Sequence, residues 1–272
     1  MSRPSGAGHQ ARKRFGQNFL HDAGVIDRIV GAINPMPDDN LVEIGPGMGA
    51  LSEPLLEACP ALQMIELDRD LIPGLRTQFF RYPELTIHEG DALRFDYASI
   101  ADRGPLRVVG NLPYNIATPL IFHLLGFRDV VRDMHFMLQK EVVDRMAAVP
   151  GDSNWGRLAI MTQYHCRVRP LFTVGPGAFK PAPKVDSAIV RLVPHSELPH
   201  PAADTEKLAS VVRTAFSARR KTLRKALAPL FNDEDWQRLG VSPGLRPQNL
   251  TLADYVMLAN DLHEQEQSGS NE

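Results

Sequence analysis

Apolar and polar positions change rhythm along the chain. Through the first two thirds, short apolar runs at 41–44, 62–66, 85–88, 106–109 and 134–138 alternate with stretches of helical spacing near 22–33, 50–58, 69–80, 117–127 and 139–148. Strands alternating with helices predict a parallel sheet covered on both faces. Two further runs, 166–174 and 187–193, are joined by GPGAFKPAPKVD. That connection is too short for a helical crossover, so the pair is expected to be antiparallel. PHSELPHP (194–201) reads as a linker. Beyond it Leu208, Val211, Val212 and Ala215 fall at i, i+3, i+4 and i+7. Leu223, Ala226, Leu227 and Leu230 repeat that spacing, as do Leu252, Tyr255, Val256 and Ala259, so these are amphipathic helices. The expected organisation is a Rossmann-like α/β domain over 1–195, a small all-helical domain over 202–265 and a frayed tail over 266–272.

Composition fits this picture. The chain has 272 residues and is 43% hydrophobic, enough for one large core and one small one. Its only cysteines, Cys59 and Cys166, offer no disulfide or metal framework and suit a reducing compartment. The histidines show no paired ligand spacing, so no metal is expected. MSRPSGAGHQARKRFGQ has no apolar core of a secretory signal, and no run of eighteen apolar residues occurs. A soluble, cytoplasmic protein without a membrane span is the expectation.

The net charge of −2 hides an asymmetry. Residues 1–21 carry +4 and no acid, residues 22–152 carry −9, residues 153–231 carry +9 and residues 232–272 carry −6. No acid occurs from 207 to 231, where Arg213, Arg219, Arg220, Lys221, Arg224 and Lys225 cluster, and a helix expected from about 219 turns its basic residues to solvent. A second acid-free stretch, 153–185, carries five bases. A solvated face explains an ordinary charge run. Two long acid-free runs, joined by Arg12, Lys13 and Arg14, favour contact with RNA.

The candidate chemistry sits at strand ends. VEIGPGMGAL follows the first long strand and opens a helix, and Gly45, Gly47 and Gly49 let the backbone turn and approach a ligand. Glu66 ends the next strand, where a carboxylate can accept from both ribose hydroxyls of a nucleoside. Asp91, in GDAL, follows the third and can accept from an adenine amino group. A dinucleotide and S-adenosylmethionine both fit this much, and a turn without a ligand also fits the glycines alone.

GNLPYN, at 110–115, ends the fourth strand on the same rim. The side-chain oxygen of Asn111 and the backbone carbonyl of Leu112 are two acceptors for the N–H bonds of an exocyclic base amine. Holding them would aim the nitrogen lone pair and stabilise charge developing on it. Pro113 stiffens the loop, and Tyr114 offers a face for stacking. Phe179 is a second aromatic candidate for the base pocket, with a core phenylalanine equally open.

GNLPYN closely resembles the catalytic motif of amino-group DNA and RNA methyltransferases, with Leu112 where proline is common, as in the rRNA adenine dimethyltransferases. KRFGQNFLHD (13–22), VEIGPGMGALSEPLL (42–56), FMLQKEVVDRM (136–146), FKPAPKVDSAIVRL (179–192) and RPQNLTLADYVMLAN (246–260) resemble that family too, especially its bacterial small-subunit branch. The resemblance implies a class I methyltransferase sheet and S-adenosylmethionine as cofactor. It places Asn18, Leu20, Gly45, Glu66, Asp91 and Asn111 at the cofactor. It also implies two methyl transfers to each of two adjacent adenines near the 3′ end of small-subunit (16S) rRNA, by a monomer, within a 30S assembly intermediate. The rivals are a large-subunit rRNA methylase, an rRNA-binding assembly factor and a nicotinamide-dependent oxidoreductase.

Overall fold

The computed structural model describes residues 18–113 and 115–269. A two-residue strand, β1 (Phe19–Leu20), leads into α1 (Ala23–Ile33). The Asp22 carboxylate starts α1 by accepting from the Val25 N–H at 2.9 Å, and Asn34 ends it in a left-handed turn, φ 49°. Then come β2 (Asn40–Ile44), α2 (Ser52–Ala58), β3 (Gln63–Glu66), α3 (Ile72–Gln78), β4 (Thr86–Glu89), β5 (Leu106–Asn111), α4 (Ala117–Leu125) and β6 (Val131–Gln139). They are followed by α5 (Lys140–Met146), α6 (Arg157–His165), β7 (Cys166–Val174), β8 (Phe179–Lys180) and β9 (Ser187–Pro194). The rest is helical: α7 (Thr205–Ser217), α8 (Leu223–Ala226), α9 (Asp233–Leu239) and α10 (Leu252–Gly269).

Seven strands form one sheet in the order β4-β3-β2-β5-β6-β9-β7, with β4 through β6 parallel and an antiparallel strand in the remainder. All of β2 and β3 is buried, which is why they read as continuous apolar runs rather than alternating ones. The chain moves outward from β2 to β4 and then returns to the other side of β2 as β5. That reversal creates a crevice beyond the carboxyl ends of β2 and β5, the place where open α/β sheets take ligands. At the opposite end, buried Arg107 pairs with Asp39 at 2.6 Å and Asp133 at 3.0 Å and donates to the carbonyls of Ile33 and Asn34. It ties the starts of β2, β5 and β6 to the end of α1. Breaking such a buried pair from one side costs about 3–5 kcal/mol.

The chain divides into two compact units, Met1–Lys140 with Leu171–Arg191, and Glu141–Pro170 with Leu192–Glu272. Nearly all of α5 and the whole of α6, which the expected 1–195 domain included, group with the C-terminal helices. In that second unit Leu208, Val211, Val212 and Ala215 are fully buried, as their spacing predicts. Trp155, Tyr164 and Tyr255 fill the same core. Their polar ends are satisfied: Trp155 Nε1 donates to the Leu250 carbonyl, Tyr255 Oη donates to the Pro247 carbonyl, and Tyr164 Oη accepts from the Ala202 N–H.

Two helical expectations change. The helix expected from about 219 starts only at Leu223 and lasts four residues, because 218–222 is spent on turns. Helix α10 continues to Gly269, through part of the tail expected to fray. Lys207 pairs with Glu266 there, and Gln265 donates to Asp261 at 2.7 Å and Asp235 at 3.2 Å. Among the described residues, no helix is long and apolar enough to cross a membrane.

Candidate active site

A cavity of about 300 Å³ opens at the carboxyl ends of the parallel strands. Gly45 and Gly47 line it just after β2, Glu66 at the end of β3, Asp91 just after β4, and Asn111, Leu112 and Pro113 at the end of β5. Asn18, Leu20 and Phe179 complete the wall. The structure therefore gathers around one space every expected cofactor residue and all expected catalytic residues but Tyr114. Tyr114, Arg12, Lys13 and Arg14 lie outside the described residues.

The glycine loop has its backbone bent as a ligand cradle requires. Gly45, Gly47 and Gly49 have φ of 65°, 59° and 82°, a region L side chains rarely adopt. Gly110 serves a different need: a Cβ there would lie 2.7 Å from the Ile44 carbonyl oxygen. Only glycine lets β5 approach β2 closely enough to carry Asn111 to the rim.

Glu66 is 6% exposed. One carboxylate oxygen accepts from the Asp68 N–H at 2.8 Å and the other from the Gly47 N–H at a long 3.4 Å. Burial pushes this carboxyl above the usual range, and those N–H groups pull it partly back. A carboxylate has about four acceptor positions, so lone pairs remain for two vicinal hydroxyls. Asp91 accepts from the Leu93 N–H at 2.9 Å through one oxygen, leaving the other. The loop after Asp91 rests on fully buried Tyr97, whose hydroxyl donates to the Ala92 carbonyl at 3.0 Å.

The lining carries the acids Glu66, Asp68 and Asp91, with Glu43 behind them, and among the described residues no Lys, Arg or His. Such a lining disfavours a diphosphate and favours a ligand with positive groups. A sulfonium and an ammonium therefore suit it better than the diphosphate of a dinucleotide.

Asn111 donates its side-chain N–H to the Asn18 carbonyl at 3.2 Å. Leu112 is buried at 1% exposure, and its N–H donates to the Met137 carbonyl at 3.2 Å, fixing the loop to β6. Asn18 and Leu20 reach the cavity because β1 pairs antiparallel with β8, setting Leu20 against Phe179 and Phe19 against Lys180. Phe179 is therefore both buried, at 4% exposure, and a wall of the cavity.

Sequence reasoning missed Phe19 and Glu43. Phe19 lies between two assigned residues and packs on the glycine loop, 3.3 Å from where a Gly47 Cβ would sit. Its signal was only its neighbours. Glu43 is a fully interior carboxylate whose oxygen accepts from the Ser52 hydroxyl at 2.6 Å. Its carboxyl is pushed up to about 7, by burial first, with the Ser52 hydrogen bond working against the rise and the Glu66 charge adding to it. A charged residue inside an otherwise apolar strand, two positions before the first glycine, was the available signal.

Of the expected RNA-binding residues, Arg219, Arg220, Lys221, Arg224 and Lys225 lie in the second unit. Arg220, Lys221, Arg224 and Lys225 are exposed. Arg219 is half-buried and spends its guanidinium on the Ser153 carbonyl and the Gln248 side chain. Arg224 pairs with Asp233 at 2.8 Å. Among the described residues no group of three His, Cys, Asp or Glu is placed to hold a metal.

A doubly wound, mostly parallel sheet with an acid-lined crevice at its reversal point is the fold of a class I methyltransferase. Comparison with known proteins narrows the class. The family model described as ribosomal RNA adenine dimethylase matches residues 8–264, and the chain belongs to that family. It is 70% identical over 253 residues to ribosomal RNA small subunit methyltransferase A of Marinobacter nauticus, covering 93% of this chain and 92% of the relative. Its structure is similar to that of a dimethyladenosine transferase from Plasmodium falciparum, with TM-score 0.75, 28% identity, and coverage of 91% of this chain and 98% of the other. It is also similar to the 23S rRNA methyltransferase ErmE, with TM-score 0.70, 26% identity, and coverage of 90% and 100%.

Proposed function

We propose that the protein dimethylates the N6 amino groups of two adjacent adenines near the 3′ end of small-subunit rRNA, using S-adenosylmethionine. The observation that carries this reading is the Asn111–Asn18 hydrogen bond. A carbonyl oxygen can only accept, so Asn111 presents its NH₂ to Asn18 and keeps its own oxygen for another donor. An exocyclic adenine amine is such a donor. The small-subunit target follows from the similarity to the Marinobacter nauticus protein along nearly the whole of both chains.

When bound, S-adenosylmethionine supplies an electrophilic methyl carbon. The chain's residues do the rest. Glu66 accepts from the ribose hydroxyls, and Asp91 accepts from the cofactor's adenine amine. The Asn111 oxygen and the Leu112 carbonyl hold the target amine and orient its lone pair, stabilising the positive charge that develops on nitrogen. Tyr114 and Phe179 stack on the target base. Orientation and electrostatics are enough here, because an amine nucleophile needs no prior deprotonation, and the proton left on the acidified nitrogen after each transfer passes to solvent.

The proposal extends to a cytoplasmic monomer acting on a 30S assembly intermediate, with Arg12, Lys13, Arg14, Arg219, Arg220, Lys221, Arg224 and Lys225 toward rRNA. The catalytic domain is that of the sheet, and the helical region carries most of the basic surface. Both cysteines are buried free thiols, which suits a reducing compartment. Labelled methyl transfer tests the substrate. Small subunits from cells lacking this modification should accept label, and mature small subunits and large subunits should not. Label in large subunits alone would overturn the reading.

A further inference from the structure

The two halves of the cavity share one piece of backbone. Asn18 and Leu20, assigned above to the cofactor, belong to the β1 segment, and Phe179, assigned to the target base, belongs to β8; all three line the cavity. The two strands form a separate two-residue ribbon, extended by the His21 N–H donating to the Ala178 carbonyl at 2.9 Å. The ribbon meets the rest of the site through Asn18 and Phe19. The Asn18 carbonyl accepts from Asn111, and the Phe19 ring packs over Gly47.

We propose that Phe19 is a positioning residue, and that through it the ribbon couples cofactor binding to target-base binding. The inference rests on the functional reading above and adds a regulation to that site. A ligand that presses on the glycine loop, Asn18 or Leu20 sets the position of the same ribbon that carries Phe179 and holds the Asn111 amide. Leu20, Ala178 and Phe179 are buried together in one core, so the two strands shift as one piece. The ligand that binds first bears the cost of setting the ribbon, and the second finds it set. The coupling must be reciprocal, so rRNA strengthens cofactor binding by the same factor that cofactor strengthens rRNA binding. Phe19 carries this because its ring joins the ribbon to the glycine loop at Gly47, whereas Asn18 joins it to the Asn111 amide.

The test is a binding cycle with S-adenosylhomocysteine and unmethylated small subunits, using the full-length protein. S-Adenosylhomocysteine affinity is measured by filter binding, with and without saturating subunits. The wild type should bind it roughly 5–20-fold tighter with subunits present, within the usual range of coupling between sites. Phe19→Ala should bind both ligands but couple them less than about twofold, and Phe19→Leu, which keeps an apolar cover on Gly47, should recover part of the coupling. Phe19→Leu also decides the matter if the alanine variant does not fold. Independent binding in the wild type, or full coupling in a folded Phe19→Ala, would overturn the proposal. Failure of the wild type to bind S-adenosylhomocysteine at all would instead overturn the functional reading on which it stands.

Discussion

Asn111 and Asn18 meet through a hydrogen bond, the side-chain amide of Asn111 donating to the backbone carbonyl of Asn18 at 3.2 Å. Because that carbonyl is only an acceptor, it fixes which way the Asn111 amide faces. The strand end carries an oriented acceptor, not merely a polar side chain.

The orientation predicts that aspartate cannot replace Asn111. Asn111→Ala should lower methyl transfer by about 10²–10³ while small subunits still bind, as for loss of a preorganised electrostatic group. Asn111→Asp retains an acceptor for the amine but sets a carboxylate oxygen against the Asn18 carbonyl, so it should be no more active than alanine. Single-turnover rates on unmethylated small subunits decide this. Near-wild-type turnover by the aspartate variant would show that the Asn18 bond is irrelevant.

Glu66→Ala should weaken S-adenosylhomocysteine binding by about 1.5–3 kcal/mol, the worth of hydrogen bonds to a charged group. Subunit affinity measured without cofactor should be unchanged. Calorimetry on the folded variant checks it, and equal affinity would remove Glu66 from the cofactor.

Glu43 predicts a pH dependence of stability. Burial first, opposed by Ser52 and reinforced by Glu66, raises its carboxyl from 4.5 to about 7. The folded protein therefore holds a proton that the unfolded chain has lost between these values. The contribution is full below about 4.5 and is lost as pH rises through 7, with a total on the order of 3 kcal/mol. Glu43→Gln cannot ionise, so its melting temperature relative to wild type should climb from pH 5 to pH 8 and then level off. A constant difference across that range would mean Glu43 titrates normally.

The basic run needs a more selective test than its sequence suggests, because Arg219 is committed to Ser153 and Gln248. Reversing Arg220, Lys221 and Lys225 to Glu leaves those bonds alone. The triple variant should keep S-adenosylhomocysteine affinity and bind rRNA more weakly. Its salt dependence should fall by roughly 0.7 for each single-strand phosphate that a basic side chain no longer neutralises. An unchanged salt slope would make these residues an ordinary solvated face.

What could be read from sequence followed physical periodicity. The buried strands β2, β3 and β5 announce themselves as short apolar runs, and α7 as a single clean stripe. Glu66, Asp91 and Asn111 were legible because each ends a strand, and strand ends of a parallel sheet share a rim. Helix α6 was not, since Leu158, Ala159, Ile160, Thr162 and Tyr164 are all buried and leave no polar face to set the period. The β1–β8 ribbon was also hidden. Two residues per strand carry no alternation, and their pairing joins positions about 160 apart in the chain. Asn18 and Leu20 therefore reached the site through family resemblance alone, and Phe19 only through the structure.

The central claim is that Asn111 and its neighbours orient an exocyclic amine on adenine. Unmethylated small subunits, treated with the protein and excess S-adenosylmethionine, can be digested to nucleosides and analysed by mass spectrometry. The account predicts N6,N6-dimethyladenosine as the product. Methyl groups on a ring carbon or on ribose would contradict it, because an amide acceptor at that position has no N–H to hold in either case.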